Sequence, residues 1–224
     1  MEETEVARFP RPVFGRIPNF VGAEVAASKL TTLPEFQHAR VVKINPDAPQ
    51  RMVRHHALSM GKIVLTPTPR LKEGFLLLDP SKLPKSTALR ASSIAGSFQL
   101  GKRISLQELP KVDLIVVGCV AVSPNGARLG KGEGYGEIEY AILREKARID
   151  DTVPVLTTVH DIQVLDSVPW EKHDVPVDLI ITPKKIIRTE TTLPKPTSIL
   201  WESLTQQKLN EIPVLRELRN EVGT

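Results

Sequence analysis

The sequence is poor in the features that define several classes of protein. Its 224 residues include one cysteine, Cys119, so no disulfide can form within the chain. No apolar run approaches the roughly 20 residues that a membrane-spanning helix requires. The N-terminus carries acidic residues and prolines, whereas a secretion signal needs a basic segment followed by an apolar one. We therefore expect a soluble, cytoplasmic protein that does not contact membranes.

Strongly concentrated charge is also missing. The formal net charge is +4, and no long run of lysine or arginine gathers it on one stretch. A mild positive balance favours anionic partners, and phosphorylated small molecules fit it as well as nucleic acid does. No aromatic motif of the RNA-binding type accompanies the basic residues. Nucleic acid therefore stays open as a partner without a motif to support it.

What the sequence does contain is an alternation of strand-like and helix-like segments. Strands are predicted over 39–44, 62–67, 73–79, 112–122, 153–159, 177–182 and 184–189, and helices over 22–33, 49–60 and 137–149. The first helix places Val25, Ala26, Leu30 and Leu33 on one face and ends at Pro34. The run 112–122 is continuously apolar, as in the middle of a parallel sheet that is covered on both faces. This order predicts an α/β three-layer sandwich with a mainly parallel sheet.

Three segments of the chain differ in composition. Residues 1–20 are rich in proline and arginine, which predicts an extended N-terminal arm. Residues 21–190 hold the alternating elements and form the predicted α/β domain. Residues 191–224 form a proline-containing linker and a polar helical tail.

The most distinctive stretch is "RLGKGEGYG", residues 128–136, with glycine at every second position. It lies between the end of the predicted central strand and the start of a helix, where open α/β sheets bind ligands. Glycines leave backbone N–H groups free to hold phosphate oxygens, and Arg128 and Lys131 add positive charge. The loop matches neither the dinucleotide fingerprint, because Tyr135 stands where glycine is required, nor the P-loop pattern. A tight connection without a ligand is the structural alternative.

Two motifs in this region resemble a known family. "GARLGKGEGYG" is similar to the G-x-R-[LI]-G-x-G-x-G-[YF]-[YF]-D signature of 5-formyltetrahydrofolate cyclo-ligases, and "HDVPVDLIIT" looks like the closing segment of that family. The resemblance covers roughly residues 57–182 and is closest to the methenyltetrahydrofolate synthetase domain-containing branch. It implies a cyclo-ligase-like fold, which is also the type of sandwich found in sugar-phosphate isomerases and CoA transferases.

The resemblance implies a reaction and its cofactors. Cyclo-ligases use ATP and Mg²⁺ to phosphorylate the formyl oxygen of 5-formyltetrahydrofolate, after which the ring closes, phosphate leaves and 5,10-methenyltetrahydrofolate forms. By motif position, the phosphates of ATP would contact Arg128, Leu129, Gly130, Lys131, Gly132, Glu133, Gly134, Tyr135 and Gly136. Arg128 and Lys131 would be the catalytic charge partners. The implied substrate is a reduced folate or a related pterin.

The resemblance also assigns metal-binding and substrate-binding residues. Glu137 and Asp174 would hold the Mg²⁺ ion, and Tyr135 and Asp47 would contact the substrate. The sequence departs from the family pattern at Gly136, where the family has a second aromatic residue, and at Glu137, where it has aspartate. The family also carries an early basic helix, whose role would fall here to Arg8, Arg11 and Arg16.

Each of these residues has a structural alternative. His173 and Asp174 are compatible with the cap of a turn, and Tyr135 and Trp170 with packing in place of ring stacking. The pair His160–Asp161 has no matching serine or cysteine nucleophile, and Cys119 is typical of a small core residue.

The same ambiguity extends to the function as a whole. One hypothesis is an ATP-dependent ligase with the family reaction. The alternative is a catalytically divergent protein on the same scaffold that binds a nucleotide, a folate or RNA without turnover.

Overall fold

The computed structural model of the chain describes residues 1–222. Its strands are β1 (Ala7–Arg8), β2 (Asn19–Phe20), β3 (Val41–Ile44), β4 (Ile63–Pro67), β5 (Phe75–Leu78), β6 (Lys102–Ile104), β7 (Leu114–Val117), β8 (Ala121–Val122), β9 (Arg128–Leu129), β10 (Val155–Thr158), β11 (Leu179–Ile181) and β12 (Ile186–Arg188). Its α-helices are α1 (Ala23–Thr31), α2 (Pro34–His38), α3 (Arg51–Ser59), α4 (Ala88–Ala91), α5 (Ile94–Leu100), α6 (Tyr135–Glu145), α7 (Gln206–Glu211) and α8 (Pro213–Val222).

An eight-stranded sheet forms the centre of the protein, in the order β12-β11-β10-β7-β3-β4-β5-β6. The strands from β11 to β4 pair in parallel, and the outer strands β12, β5 and β6 are antiparallel. The predicted βαβ unit of β3, α3 and β4 is confirmed, since Val41 pairs with Ile63 in parallel register. The sheet is therefore mainly parallel, as the sequence predicts.

Both faces of the sheet are covered. In β7, Leu114 and Val116 pack on one face with α1 and α3, whereas Ile115 and Val117 pack on the other with α6 and the tail helices. All four side chains are buried, as expected for a strand covered on both sides. Helices, sheet and helices form the three predicted layers, and the fold class is confirmed.

The predicted continuous strand over 112–122 is wrong in its second half. Strand β7 ends at Val117, and β8 pairs with β9 in a separate two-stranded ladder. A Cβ atom at Gly118 would lie 2.8 Å from Ile17 Cγ2 and 2.9 Å from Asp47 Oδ2, so the backbone is closely approached where it leaves the sheet. Cys119 consequently lies after the central strand. It remains a buried core residue, and burial raises the pKa of its thiol to about 11.

The first helix is also shorter than predicted. Helix α1 ends at Thr31, and Pro34 begins the separate helix α2. Its buried face consists of Ala23, Ala26, Ala27 and Leu30, whereas Val25 is 44% exposed. Small side chains at three- and four-residue spacing let this helix lie close to the sheet, and Val25 falls outside that stripe.

The N-terminal and C-terminal segments both pack on the domain. The predicted extended arm folds back on itself, because β1 and β2 pair antiparallel and bury Ala7 and Phe20. In the tail, four apolar side chains enter the same core as α6. They are Leu209 of α7, Ile212 between the two helices, and Leu215 and Leu218 of α8. The helices of the tail are therefore apolar on the side that faces this core and polar on the other side. No helix within residues 1–222 combines the length and the apolar character needed to cross a membrane.

Candidate functional site

A cleft of about 1190 Å³ opens at the carboxyl ends of the parallel strands. It is lined by Asn45 after β3, Thr68 after β4 and Gly118 after β7. The loop from 128 to 137 forms one wall, and Ile17 of the N-terminal arm contributes to another. The cleft therefore lies where open α/β sheets bind ligands, at the position expected from the sequence.

The glycine loop has the conformation of an anion-binding cradle. Gly132 and Gly134 have φ angles of +81° and +66°, which residues with a side chain rarely adopt. A Cβ atom added at Gly132 would meet nothing within 4 Å, so the backbone faces open space. Helix α6 begins directly after Gly134, and its first internal hydrogen bond runs from the Ile138 N–H to the Gly134 carbonyl. The N–H groups of Tyr135, Gly136 and Glu137 have no acceptor within the described part of the chain. Free N–H groups and a helix start together favour an anion.

Two cations flank the loop and converge on one carboxylate. Lys131 Nζ lies 2.8 Å from Glu133 Oε2, and Arg70 Nη2 lies 3.6 Å from Glu133 Oε1. Arg70 comes from the turn after β4, which the sequence did not single out. The Glu133 carboxylate thus lies between two cations. A phosphate group of a ligand would be attracted to the same two cations.

The predicted charge partner Arg128 has a different environment from Lys131. Its side chain is 3% exposed, and it donates hydrogen bonds to the carbonyls of Val175, at 3.2 Å, and Gly118, at 3.1 Å. Its remaining nitrogen donates to the Glu137 carboxylate in a short ion pair. Arg128 thus connects the loop to the end of β7 and to the segment before β11. In this arrangement Arg128 holds the loop in place. Lys131 is exposed and lines the cleft, so it is the cation of the loop that a ligand can reach.

The two predicted metal ligands, Glu137 and Asp174, both line the cleft. Glu137 accepts from Arg128, while Asp174 Oδ2 accepts from the Glu171 N–H at 2.7 Å. The contact between Asp174 and the Glu171 N–H caps a turn. This is the geometry expected if Asp174 has a structural role instead of binding a metal. Burial raises the pKa of Asp174, and the nearby Glu137 carboxylate raises it further.

The two carboxylates form an incomplete cation site. Each retains one oxygen without a hydrogen bond from the described residues. Within residues 1–222, no group of three or more histidine, cysteine or acidic side chains is arranged to hold a metal. The donor set is chemically suited to Mg²⁺, but phosphate oxygens would have to supply further ligands.

The two predicted substrate residues, Tyr135 and Asp47, both line the cleft. Tyr135 is half-buried, and Lys208 Nζ lies 4.7 Å from its ring centroid, so one face of the ring is already covered. Burial raises the pKa of the Asp47 carboxyl, with the charge of Arg54 acting in the opposite direction. Asp47 is therefore a carboxylate of the cleft floor beside cationic groups.

A buried ion pair beneath the cleft was missed by sequence reasoning. Lys43 Nζ in β3 donates to Glu139 Oε2 at 2.5 Å and to Asn45 Oδ1 at 2.7 Å. Lys43 is 1% exposed and Glu139 is 4% exposed, and burial raises the pKa of the Glu139 carboxyl. The signal was the lysine in the middle of "VVKI", since a charge inside a central strand requires a partner.

A second missed residue is Arg54 of α3. It is 2% exposed and donates to the Ser92 carbonyl at 2.8 Å and to the carbonyls of Asn45 and Asp47. Burial lowers its pKa to about 10. Arg54 therefore fixes the backbone between β3 and α3, the segment that carries Asp47 into the cleft.

Several other candidates do not belong to the cleft lining. His160 Nδ1 accepts from the Ile162 N–H at 3.2 Å and caps a short helix, and Asp161 accepts from the Thr182 hydroxyl. Among residues 1–222, neither side chain has a hydrogen bond to a serine or cysteine nucleophile. Trp170 lies outside the cleft lining.

The three arginines of the N-terminal arm also differ in their positions. Arg11 pairs with Glu2 on the surface, and Arg8 does not line the cleft. Only Arg16, among these arginines, is part of the cleft wall. Its Nε donates to the Pro12 carbonyl at 3.2 Å.

Fold and cleft together define a class of α/β protein, in which a parallel sheet carries a glycine-rich loop at the carboxyl ends of its strands. Comparison with known proteins narrows this class. The sequence pattern of the 5-formyltetrahydrofolate cyclo-ligase family matches residues 8–183. The chain therefore belongs to the 5-formyltetrahydrofolate cyclo-ligase family, as its motifs predicted.

Relatives that match nearly the whole chain belong to the predicted branch. The methenyltetrahydrofolate synthase domain-containing protein of Mus musculus is 44% identical over 224 residues, which are 98% of this chain and 60% of the relative. The protein of the same name from Bos taurus is 42% identical over 226 residues, which are 99% of this chain and 59% of the relative. The chain thus spans about 60% of the length of these curated relatives.

A solved structure shares the fold. The NMR structure of Aquifex aeolicus 5,10-methenyltetrahydrofolate synthetase matches with a TM-score of 0.51 and 21% identity, over 81% of this chain and 87% of that chain. At this level of identity the likeness shows the fold alone.

Proposed function

We propose that the chain is an ATP- and Mg²⁺-dependent ligase of one-carbon metabolism. Its substrate is 5-formyltetrahydrofolate or a related reduced pterin, and its product is 5,10-methenyltetrahydrofolate. The observation that carries the proposal is the glycine loop, which presents unpaired N–H groups of α6 and the Lys131 ammonium to a cleft at the strand ends. Family membership and the names of the relatives support the choice of substrate.

The residues of the chain have distinct roles in this proposal. Phosphoryl transfer depends mostly on positioning and on neutralising negative charge. The loop N–H groups and Lys131 bind the phosphates, while Arg128 holds the loop rigid from below. Asp47 and Tyr135 line the part of the cleft that receives the pterin. Glu137 and Asp174 would hold Mg²⁺, which when bound neutralises phosphate charge.

The test is an assay of the complete reaction. Incubated with 5-formyltetrahydrofolate, ATP and Mg²⁺, the chain should form the methenyl product, detected by its absorbance, together with ADP and phosphate. Lys131→Ala should lower the rate because it removes the exposed cation of the loop. Lys111→Ala is the matched control, since Lys111 is an exposed lysine that does not line the cleft.

A binding protein without turnover is the second candidate, and one observation favours it. Glu137, at the family position of a metal ligand, is occupied by its ion pair with Arg128. If nucleotide raises the melting temperature but no product forms, this second candidate is correct. If ATP at millimolar concentration does not shift the melting temperature, the ligase and the nucleotide-binding form of the second candidate are both wrong.

A further inference from the structure

The C-terminal tail places a lysine at the glycine loop. Helix α7 begins after Thr205, whose hydroxyl accepts the Lys208 N–H at 3.2 Å. The next residue, Leu209, is buried, and so is Ile212. These anchors set the direction of α7 against the core and leave Lys208 on the side that faces the loop.

The Lys208 ammonium lies directly against the cradle. It is 4.7 Å from the ring centroid of Tyr135 and 3.3 Å from the position that a Cβ atom would take at Gly134. Both residues belong to the start of α6, where the unpaired N–H groups are located. Lys208 also lines the same cleft as the loop, so its ammonium lies near the groups that favour an anion.

This ammonium has no direct anionic partner within residues 1–222. Its contact is with the face of the Tyr135 ring, and neither a hydrogen-bond acceptor nor a carboxylate within 4.0 Å accompanies it. Burial lowers its pKa, while the more distant Glu133, Glu137 and Glu211 carboxylates act in the opposite direction. A partly buried ammonium without a protein acceptor keeps its N–H donors available for a ligand.

We propose that Lys208 binds a phosphate group of the nucleotide held by the glycine loop, so that the tail completes the phosphate site. This inference rests on the proposed function, because it concerns the nucleotide of the same cleft. Lys208 lies beyond residues 8–183, the part of the chain that matches the family pattern. Lys208, Lys131 and Arg70 form a set of three cations around the loop. Glu133 lies between Lys131 and Arg70 and pairs with both. Three cations and several N–H groups suit a polyphosphate better than a single carboxylate.

The proposal is tested by binding rather than by activity. MgATP is titrated calorimetrically into the wild type, Lys208→Gln, Lys208→Met and Lys208→Arg. The two neutral variants should bind roughly 10- to 100-fold more weakly, the loss expected for one hydrogen bond to a charged group. Lys208→Arg keeps the charge and should stay within roughly three-fold of the wild type.

The control variant is Lys85→Gln, which removes the same charge from an exposed lysine outside the cleft. It should leave the affinity unchanged. The neutral Lys208 variants should keep the melting temperature of the wild type without ligand, since no described acceptor is left unpaired when the ammonium is removed. The methionine variant also retains apolar contact with Tyr135, so a folding defect is separated from a binding defect.

The outcomes separate this inference from the proposed function. If the wild type binds MgATP and the neutral variants bind it equally well, the phosphate role of Lys208 is wrong while the proposed function stands. If these variants lose affinity for the reduced folate but not for MgATP, Lys208 contacts the substrate and the inference is again wrong. If the wild type does not bind MgATP at all, both are wrong.

Discussion

The buried pair between Lys43 and Glu139 offers the sharpest test of the cleft floor. Lys43→Met removes the ammonium and leaves the Glu139 carboxylate 4% exposed beneath the cleft, with its Lys43 contact gone. Removing one partner of a buried ion pair costs about 3–5 kcal/mol, because the other charge stays desolvated. Asn45 loses a donor at the same time. We expect the free energy of unfolding of Lys43→Met to fall by this amount at neutral pH.

The loss should depend on pH in a defined direction. Burial already raises the folded-state pKa of Glu139 above its ordinary value of 4.5, and Lys43 opposes that rise. Without Lys43 the folded-state pKa rises further. Below about pH 4.5 the carboxyl is protonated in both states, so the variant is penalised least there. As pH increases towards the folded-state pKa, the penalty grows by at most about 1.4 kcal/mol per pH unit.

Urea unfolding followed by circular dichroism measures both effects. The wild type, Lys43→Met, Glu139→Leu and the double variant are compared at about pH 5 and pH 8. The double variant replaces the pair by apolar side chains and should recover most of the stability, to within about 2 kcal/mol of the wild type. A large coupling energy between the two single variants is therefore expected.

Lys62→Met is the matched control. Lys62 is also buried, but its ammonium donates to the carbonyls of Gln37 and Ala39 and not to a carboxylate. Its loss should not produce the same dependence on pH. The reasoning is refuted if Lys43→Met costs less than about 1 kcal/mol at pH 8, if its cost is equal at both pH values, or if the single variants simply add.

Three further predictions concern the loop and its surroundings. Glu133→Gln removes the carboxylate that pairs with Lys131, so MgATP should bind several-fold more tightly in a calorimetric titration, and unchanged or weaker binding would contradict the loop assignment. Gly118→Ala places a Cβ atom 2.8 Å from Ile17 Cγ2, so it should lower the free energy of unfolding by about 1–3 kcal/mol in urea titrations; a neutral effect would show that the arm does not pack there. Asp174→Asn should weaken nucleotide binding with Mg²⁺ but not without it, and equal affinities with Mg²⁺ for variant and wild type would remove Asp174 from the metal site.

Local patterns in the sequence account for much of the fold. The period of apolar residues is set by each strand or helix alone, which is why the βαβ unit and the central position of β7 could be predicted. The glycine loop was recognisable for the same reason, since its spacing and its place before a helix are local features. Boundaries were less accurate: β7 ends at Val117, next to the position where Ile17 and Asp47 from elsewhere in the chain approach Gly118.

The charges of the site were decided by tertiary structure. Lys43 and Glu139 are 96 residues apart, and Arg128 reaches the Val175 carbonyl across 47 residues. Nothing local indicates that Arg128 would be held by Glu137, or that Lys208 of the tail would lie on Tyr135. Strand and helix type follow from neighbours along the chain, whereas the partner of a buried charge is whichever side chain the packed sheet and helices bring within hydrogen-bonding distance.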